Sequence, residues 1–191
     1  MINSTDHLVE TIRNSIVGSD AAIEVPYGLR RVTYADYTAS GRSLSFIEDF
    51  IRNEVMPLYA NTHTETSGTG LQTTRFREDA REMIHKAVGG SEDDLVVFCG
   101  SGATAAINKL IDILNIRLPA DLDSRYNLAD NIPAEERPVV FIGPYEHHSN
   151  ELPWRETIAD VVMIEEDPDG RIDLDNLEAM LKKYEERPLK I

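Results

Sequence analysis

From Leu95 onward, short apolar runs alternate with segments that have the apolar spacing of helices. This alternation constrains the fold more than any other feature of the sequence. Runs of four or five apolar residues are typical of buried strands, and apolar residues spaced three and four apart are typical of helices. Strands that alternate with helices predict an α/β fold with a partial parallel sheet and right-handed crossover helices. The predicted strands are Leu95–Phe98, Val139–Ile142, Asp160–Ile164 and the opening of a fourth at Leu189–Ile191, and the predicted helices are Ala103–Ile116 and Leu174–Tyr184.

The sequence before Leu95 predicts helices on either side of a polar loop. Apolar spacing predicts helices at Leu8–Val17, Leu44–Val55 and Leu71–Val88, and Arg31–Tyr34 is a brief strand candidate. Asn61–Gly70 is rich in hydroxyl groups and contains two glycines, so it is predicted to be a loop. A polar loop of this length inside a compact domain is often functional.

Acidity and a single cysteine exclude several classes of protein. With 34 acidic against 19 basic residues the net charge is −15, and such a surface repels phosphate backbones and anionic membranes. No apolar run approaches the roughly 20 residues that span a bilayer, and the N-terminus lacks a signal-peptide pattern. Cys99 alone cannot form an internal disulfide, and its apolar neighbours predict an inert, buried thiol. We predict a soluble cytoplasmic protein without nucleic-acid or membrane partners.

The turn after Phe98 has the composition of an anion-binding site. Small residues at 100–103 allow backbone amides to approach an anion, and the predicted helix directs its free amides at the same point. The hydroxyl of Thr104 would add a side-chain donor. The spacing matches neither the P-loop nor the dinucleotide fingerprint, and a plain strand-to-helix turn that needs glycine is the alternative.

A second motif, Tyr145–Trp154, follows the next predicted strand. His147 falls just past the strand's carboxyl end, where ligands collect in open α/β sheets. An imidazole there can stack on an aromatic ring or relay protons, although a loop histidine bonded to backbone carbonyls is the alternative. Asn150 and Trp154 are predicted to begin the following helix, with Trp154 in the core. The two motifs together indicate a site for a phosphorylated aromatic cofactor.

The polar loop and the helix after it contain further candidates for an anionic ligand. They are His63, Thr64, Thr66, Arg75 and Arg77. These side chains could meet an acidic substrate or a phosphate. Simple solvent exposure is the alternative for each arginine.

These motifs resemble the class V aminotransferase family, and within it the cysteine desulfurases and selenocysteine lyases. The resemblance rests on Gly100–Thr104, on Glu146–Asn150 with Pro153-Trp154, on Tyr34–Ser40 and on Asn61–Thr64. It implies the N-terminal part of the large domain of the aspartate aminotransferase-like fold (fold type I), pyridoxal 5′-phosphate as cofactor, an amino acid substrate and a homodimer. The residues it implicates are Gly102, Ala103, Thr104 and Asn150 in cofactor binding, His147 in ring stacking and acid/base catalysis, and His63 near the substrate.

Two departures bear on the activity within that family. Ala105 stands where desulfurases usually have an acidic residue, and Tyr37-Thr38-Ala39 replaces a double alanine. Transaminase, epimerase and hydrolase activities therefore stay open. So do a non-catalytic module that binds a phosphorylated ligand or a partner chain, and an unrelated α/β domain.

The lysines of this chain lack the context of the family's Schiff-base lysine. By resemblance that lysine, the aspartate beside the pyridine nitrogen and the sulfur-accepting cysteine would all follow Ile191. We therefore expect an N-terminal helix and arm at 1–30 and an incomplete cofactor-binding domain at 31–191. Such a chain is expected to be inactive alone.

Overall fold

The computed structural model describes residues 4–191, with side chains from Asp6 onward. They divide into two compact units, a first unit that ends at Val96 and a second unit at Val97–Ile191. The part of the predicted N-terminal arm at residues 1–3 lies outside the described residues. The predicted domain boundary after residue 30 stays a prediction.

The first unit is built from helices and a small hairpin. Its elements are α1 (Ser4–Ser15), β1 (Ala22–Val25), β2 (Gly28–Arg31), α2 (Ser45–Phe50) and α3 (Gly68–Ala87). β1 and β2 pair antiparallel. The strand predicted at Arg31–Tyr34 lies three residues earlier in the structure, from Gly28 to Arg31. The turn between them places Gly28 at φ +88°, a conformation that favours glycine.

The helices predicted at Leu44–Val55 and Leu71–Val88 are confirmed with small shifts. α2 continues as a π-helical turn at Ile51–Val55 and a 3₁₀ turn at Met56–Leu58, where Pro57 ends it. α3 begins three residues earlier than predicted because the Ser67 side chain accepts a hydrogen bond from the Gly70 N–H and caps the helix. It ends at Ala87, ahead of Gly89 at φ +72°.

The second unit contains the parallel sheet. Its elements are α4 (Ala103–Leu114), α5 (Ala120–Tyr126), β3 (Val139–Ile142), α6 (His148–Arg155), β4 (Asp160–Met163) and α7 (Leu174–Lys183). β3 pairs in parallel with β4, and on its other side Val139 forms a parallel bridge with Lys190. The Val139 N–H donates to Leu189 O at 2.9 Å and the Ile191 N–H to Val139 O at 3.0 Å. The predicted α/β fold with a small parallel sheet is confirmed.

One continuous apolar core holds this sheet to its helices. Ile111 of α4 and Trp154 of α6 pack with buried β3 side chains, and Ile107 and Leu114 extend the α4 face at helical spacing. α4 and α6 pack against each other. Trp154 is only 4% exposed, which confirms its predicted place in the core.

The strand predicted at Leu95–Phe98 is wrong. The structure gives this segment no regular secondary structure, and Leu95 is 88% exposed. A strand needs a partner, and the strand pairs that the structure describes are formed elsewhere, β1 with β2, β3 with β4, and β3 with the chain around Lys190. Cys99 next to it was predicted to be an inert, buried thiol, and the structure places it half-buried. The polar segment at 118–138 contains α5 (Ala120–Tyr126) and two short 3₁₀ turns.

Candidate functional site

The first turn of α4 presents free backbone donors. Gly102 precedes the helix in an extended conformation, and its carbonyl accepts from Ala105 N and Ala106 N at 3.1 and 3.3 Å. The amides of Ala103 and Thr104 come before these and have no helical acceptor. A side chain at Gly102 would meet no atom within 4 Å, so the space in front of the turn is open. Free amides and an open approach are what an anion needs at a helix start.

The shape of this turn depends on Gly100. Its φ is +57°, and a Cβ placed there would lie 2.1 Å from the Cβ of Ala105. Both the backbone conformation and the close approach therefore require glycine. The chain can enter α4 at this angle only because residue 100 has no side chain.

The side chain of Thr104 is exposed, and its hydroxyl makes no hydrogen bond within the described part of the chain. Its backbone is held in place, because Asn108 Nδ2 donates to Thr104 O at 2.8 Å. Arg117 Nη2 in turn donates to Asn108 Oδ1 at 2.6 Å. Asn108 and Arg117 thus hold the backbone of the first turn of α4 in place, while the Thr104 hydroxyl remains free to donate to an external acceptor.

His147 occupies the N-cap position of α6 and uses one ring nitrogen to do so. Its Nδ1 accepts from the Ser149 N–H at 3.2 Å and lies 2.9 Å from Ser149 Oγ. Because Nδ1 accepts, the proton of the neutral ring is on Nε2. The side chain is exposed. The cap therefore fixes the imidazole and leaves Nε2 accessible.

Three hydrogen bonds hold the segment that carries His147. The Tyr145 hydroxyl donates to Glu166 in the segment after β4, which ties together the loops at the carboxyl ends of both paired strands. Asn150 Nδ2 donates to Glu146 Oε2 at 2.8 Å, and Asn150 Oδ1 accepts from the Trp154 indole at 3.3 Å. Asn150 thus connects the loop to the buried Trp154. The carboxyl edge of a parallel sheet is where α/β proteins bind ligands.

Five of the six predicted site residues lie at the starts of two helices that pack against each other, and the sixth lies in the first unit. Gly102, Ala103 and Thr104 are at the start of α4, and His147 and Asn150 are at the start of its neighbour α6. His63 belongs to the first unit, where it contacts Arg77.

Sequence reasoning missed the residues that brace the site. Tyr145 is the first residue of the His147 motif, so its position could have drawn attention to it. Glu166 and Arg117 had no such signal, because each contacts its partner only through the fold. Among the described residues there is no group of three His, Cys, Asp or Glu side chains able to hold a metal ion. No helix in that part of the chain is both long enough and apolar enough to cross a membrane.

Sequence comparison finds relatives that are named as cysteine desulfurases. A protein of Halalkalibacterium halodurans named "Probable cysteine desulfurase" is 26% identical over 160 residues, which are 80% of this chain and 34% of that protein. A relative from Plasmodium berghei, also named as a cysteine desulfurase, is 26% identical over 125 residues, 65% of this chain and 21% of its own length. The chain thus spans about a third or less of these curated relatives.

Solved structures show the same fold. The apo structure of the cysteine desulfurase of Thermococcus onnurineus NA1 superposes with a TM-score of 0.61 at 20% identity, over 91% of this chain and 37% of that one. The model of the aminotransferase class-V family matches residues 33–186, which include the whole of the α4 turn and the His147 loop. On that match, the chain belongs to the class V aminotransferase family.

Proposed function

We propose that this chain is the N-terminal part of a pyridoxal 5′-phosphate-dependent enzyme that acts on an amino acid, with cysteine desulfurase activity as the leading candidate. One observation carries the proposal: free amides at the start of α4 and a capped, accessible imidazole at the start of α6 lie on packed neighbouring helices. The family match and the names of the relatives support the same assignment.

The donors present fit the charged end of this cofactor. The Ala103 and Thr104 amides, the Thr104 hydroxyl and the helix dipole suit a phosphate group, and Gly102 leaves room for it. The flat, exposed ring of His147 suits the pyridine. When bound, pyridoxal phosphate supplies an electron sink that stabilises a carbanion at the substrate's α-carbon.

His147 would act as both a ring support and a proton carrier. The cap bond occupies Nδ1, so any exchanged proton passes through Nε2. The Tyr145–Glu166 and Glu146–Asn150 contacts hold the loop so that the ring keeps this orientation. Asn150 retains one amide hydrogen beyond its bond to Glu146, which it could donate to the cofactor.

Most lysines of this chain are already engaged away from the proposed site. Lys86 pairs with Glu82 on α3, and its hydrogen bond and charge lower the pKa of that carboxyl. Lys182 pairs with Glu178, and Lys190 Nζ donates to two backbone carbonyls at 2.9 Å. We propose that the lysine which binds the cofactor covalently follows Ile191 in the complete protein, and that the enzyme is a homodimer.

Pyridoxamine 5′-phosphate is the sharpest probe of the site, because it has no aldehyde and cannot label surface lysines. We expect saturable binding that inorganic phosphate competes away. Thr104→Val removes a hydrogen bond to a charged group, worth about 1.5–3 kcal/mol, and should weaken binding by more than about tenfold. His147→Ala removes ring stacking of about 1 kcal/mol and should weaken it about fivefold.

His148→Ala is the matched control, because the neighbouring exposed histidine starts the same helix without capping it. It should leave the affinity unchanged. If Thr104→Val and His147→Ala bind as tightly as the parent chain, the proposed cofactor site is wrong. Binding by a complete protein that forms no alanine from cysteine would instead favour a non-catalytic module or another class V activity.

A further inference from the structure

The loop that precedes α3 is bonded to the helix along its length. The Ala60 N–H donates to Thr73 Oγ1 and the His63 N–H to Thr74 Oγ1, both at 3.1 Å. The same hydroxyls donate to helix carbonyls four residues back, at 3.1 Å for Thr73 and 2.8 Å for Thr74. Each threonine is therefore both acceptor and donor, and the loop is anchored at two points.

Close packing adds a third anchor. Gly70 is buried, and a Cβ there would lie 2.5 Å from Thr64 O. The loop thus lies directly on the first turn of α3, at a distance that only glycine permits. Within this loop His63 has φ +68°, which is uncommon for a residue with a side chain. Such conformations persist only where surrounding contacts impose them, and they cluster at functional sites.

His63 uses this conformation to contact Arg77. Arg77 Nη1 lies 3.1 Å from His63 Nε2. A guanidinium has no acceptor, so Nε2 is the acceptor and Arg77 is the donor. The contact takes one of the five guanidinium hydrogens and leaves the Nε–H and Nη2–H pair on the other edge. That pair has the geometry that binds a carboxylate through two parallel hydrogen bonds.

Arg77 has no acidic partner within residues 4–191, although acidic residues outnumber basic ones by 34 to 19. Arg81, one turn further along α3, pairs with Glu78 at 2.6 Å. Arg77 is also half-buried, which reduces competition from water and strengthens its attraction for an anion. A half-buried cation without a counter-charge, oriented by a constrained loop, is a binding site for a small anion.

We propose that Arg77 binds a carboxylate group of a small-molecule ligand, and that His63 is the positioning residue that orients the guanidinium. A single free fork matches the two oxygens of a carboxylate, whereas a phosphate is usually held by several backbone amides as well. The affinity of Arg77 for a carboxylate is argued from this geometry within the first unit and does not depend on the proposed function.

Propionate is the probe, titrated into the whole chain at constant ionic strength while the His63 imidazole signals are followed by NMR. We expect a saturable shift. Arg77→Gln should abolish it, and Arg77→Lys, which keeps the charge but loses the fork, should weaken binding at least about tenfold. Arg75→Gln is the matched control, since Arg75 is exposed two residues away on the same helix, and it should bind like the parent chain.

Variants of His63 test the positioning role, observed through the backbone amide signals of the loop. His63→Ala should weaken propionate binding, and His63→Asn should restore most of it, because asparagine supplies an acceptor oxygen and tolerates positive φ. Loss of binding in both variants alike would overturn the positioning role. A dispersed amide spectrum in each variant shows that it is folded, and Arg77→Lys keeps the test usable if Arg77→Gln does not fold.

Two results would overturn the carboxylate site itself: equal effects of Arg77→Gln and Arg75→Gln, or tighter binding of inorganic phosphate than of propionate at the same residues. The outcome is separable from that of the proposed function. Thr104→Val should weaken pyridoxamine phosphate and leave propionate binding at Arg77 unchanged. Loss of the propionate response alone leaves the cofactor site standing.

Discussion

The two units of this chain are stabilised in different ways. In the second unit apolar side chains of the sheet, α4 and α6 are buried together, and Ile111 and Val139 are fully inaccessible. Within residues 6–96 of the first unit no apolar side chain is buried. Its distant segments are joined instead by side chains bonded to backbone, such as Arg42 Nη2 to Val17 O at 2.9 Å and Arg31 Nη2 to Ser19 O at 2.9 Å.

This difference assigns different roles to the units. Burial of apolar surface is the main stabilising term in folding, so the second unit has the means to be stable and to hold the α4 and α6 turns rigidly. Exposed hydrogen bonds contribute less, and they depend more on solvent, salt and pH. The first unit therefore positions a polar loop precisely on α3 while adding little apolar burial of its own.

The largest expected effect comes from opening the core of the second unit. Ile111→Ala removes a fully buried side chain and should lower the free energy of unfolding by about 2–5 kcal/mol. Met83→Ala on α3 removes a side chain that is 69% exposed and should change it by no more than about 0.5 kcal/mol. Urea unfolding followed by the fluorescence of Trp154, the single tryptophan, reports on the second unit directly.

Far-UV circular dichroism of the same samples reports on helices of both units. If Ile111→Ala shifts the fluorescence and dichroism transitions together, the two units unfold as one. Ile113→Ala is a control on the same helix, because this side chain is 64% exposed and faces away from the core. A loss as large for Met83→Ala as for Ile111→Ala would contradict the contrast between the units.

Sequence reasoning located the elements whose residues carry a local signal. α4 was predictable because Ile107, Ile111 and Leu114 form one apolar face, and α7 because Asp173 accepts from the Asn176 N–H at its start, at 2.9 Å. β1, the partner strand of β2, was missed because its side chains are largely exposed and show no alternation. An apolar run such as Leu95–Phe98 is necessary for a buried strand but does not supply a partner.

A loss of stability smaller than that of Ile111→Ala is expected at the turn that shapes the start of α4. Gly100→Ala should lower the free energy of unfolding of the second unit by about 1–2 kcal/mol, because alanine is disfavoured at φ +57° and its Cβ would collide with Ala105. Gly102→Ala is the matched comparison, since its backbone is extended and open space surrounds it. It should cost less than about 0.5 kcal/mol. Equal losses in Trp154-monitored urea unfolding would disprove the role given to Gly100.

The candidate site was predictable only in part, for a related reason. His147 lies in the short loop between β3 and α6, so topology alone places it near the carboxyl edge of the sheet. The bonds that orient it join residues such as Tyr145 and Glu166, which are 21 positions apart. The partnership of His63 with Arg77, 14 positions away, likewise depends on how the loop lies on α3.

The smallest expected effect is a pH dependence confined to the polar contacts of the first unit. Asp94 Oδ2 accepts from the Ser91 N–H and the Ser91 hydroxyl, both at 2.7 Å, and these bonds lower the pKa of Asp94 below its ordinary 3.8. A carboxyl whose folded pKa is lowered stabilises the fold above its unfolded pKa and loses that contribution as the pH falls through the folded value. Asp94→Asn should therefore destabilise the first unit slightly at pH 7 and match the parent chain at the lowest pH, as measured by dichroism-monitored urea unfolding. Asp93→Asn is the control, because it removes a neighbouring charge that does not make these bonds. If the free energy of unfolding lost in Asp93→Asn varies with pH in the same way as that lost in Asp94→Asn, the role of the Ser91–Asp94 contacts is refuted.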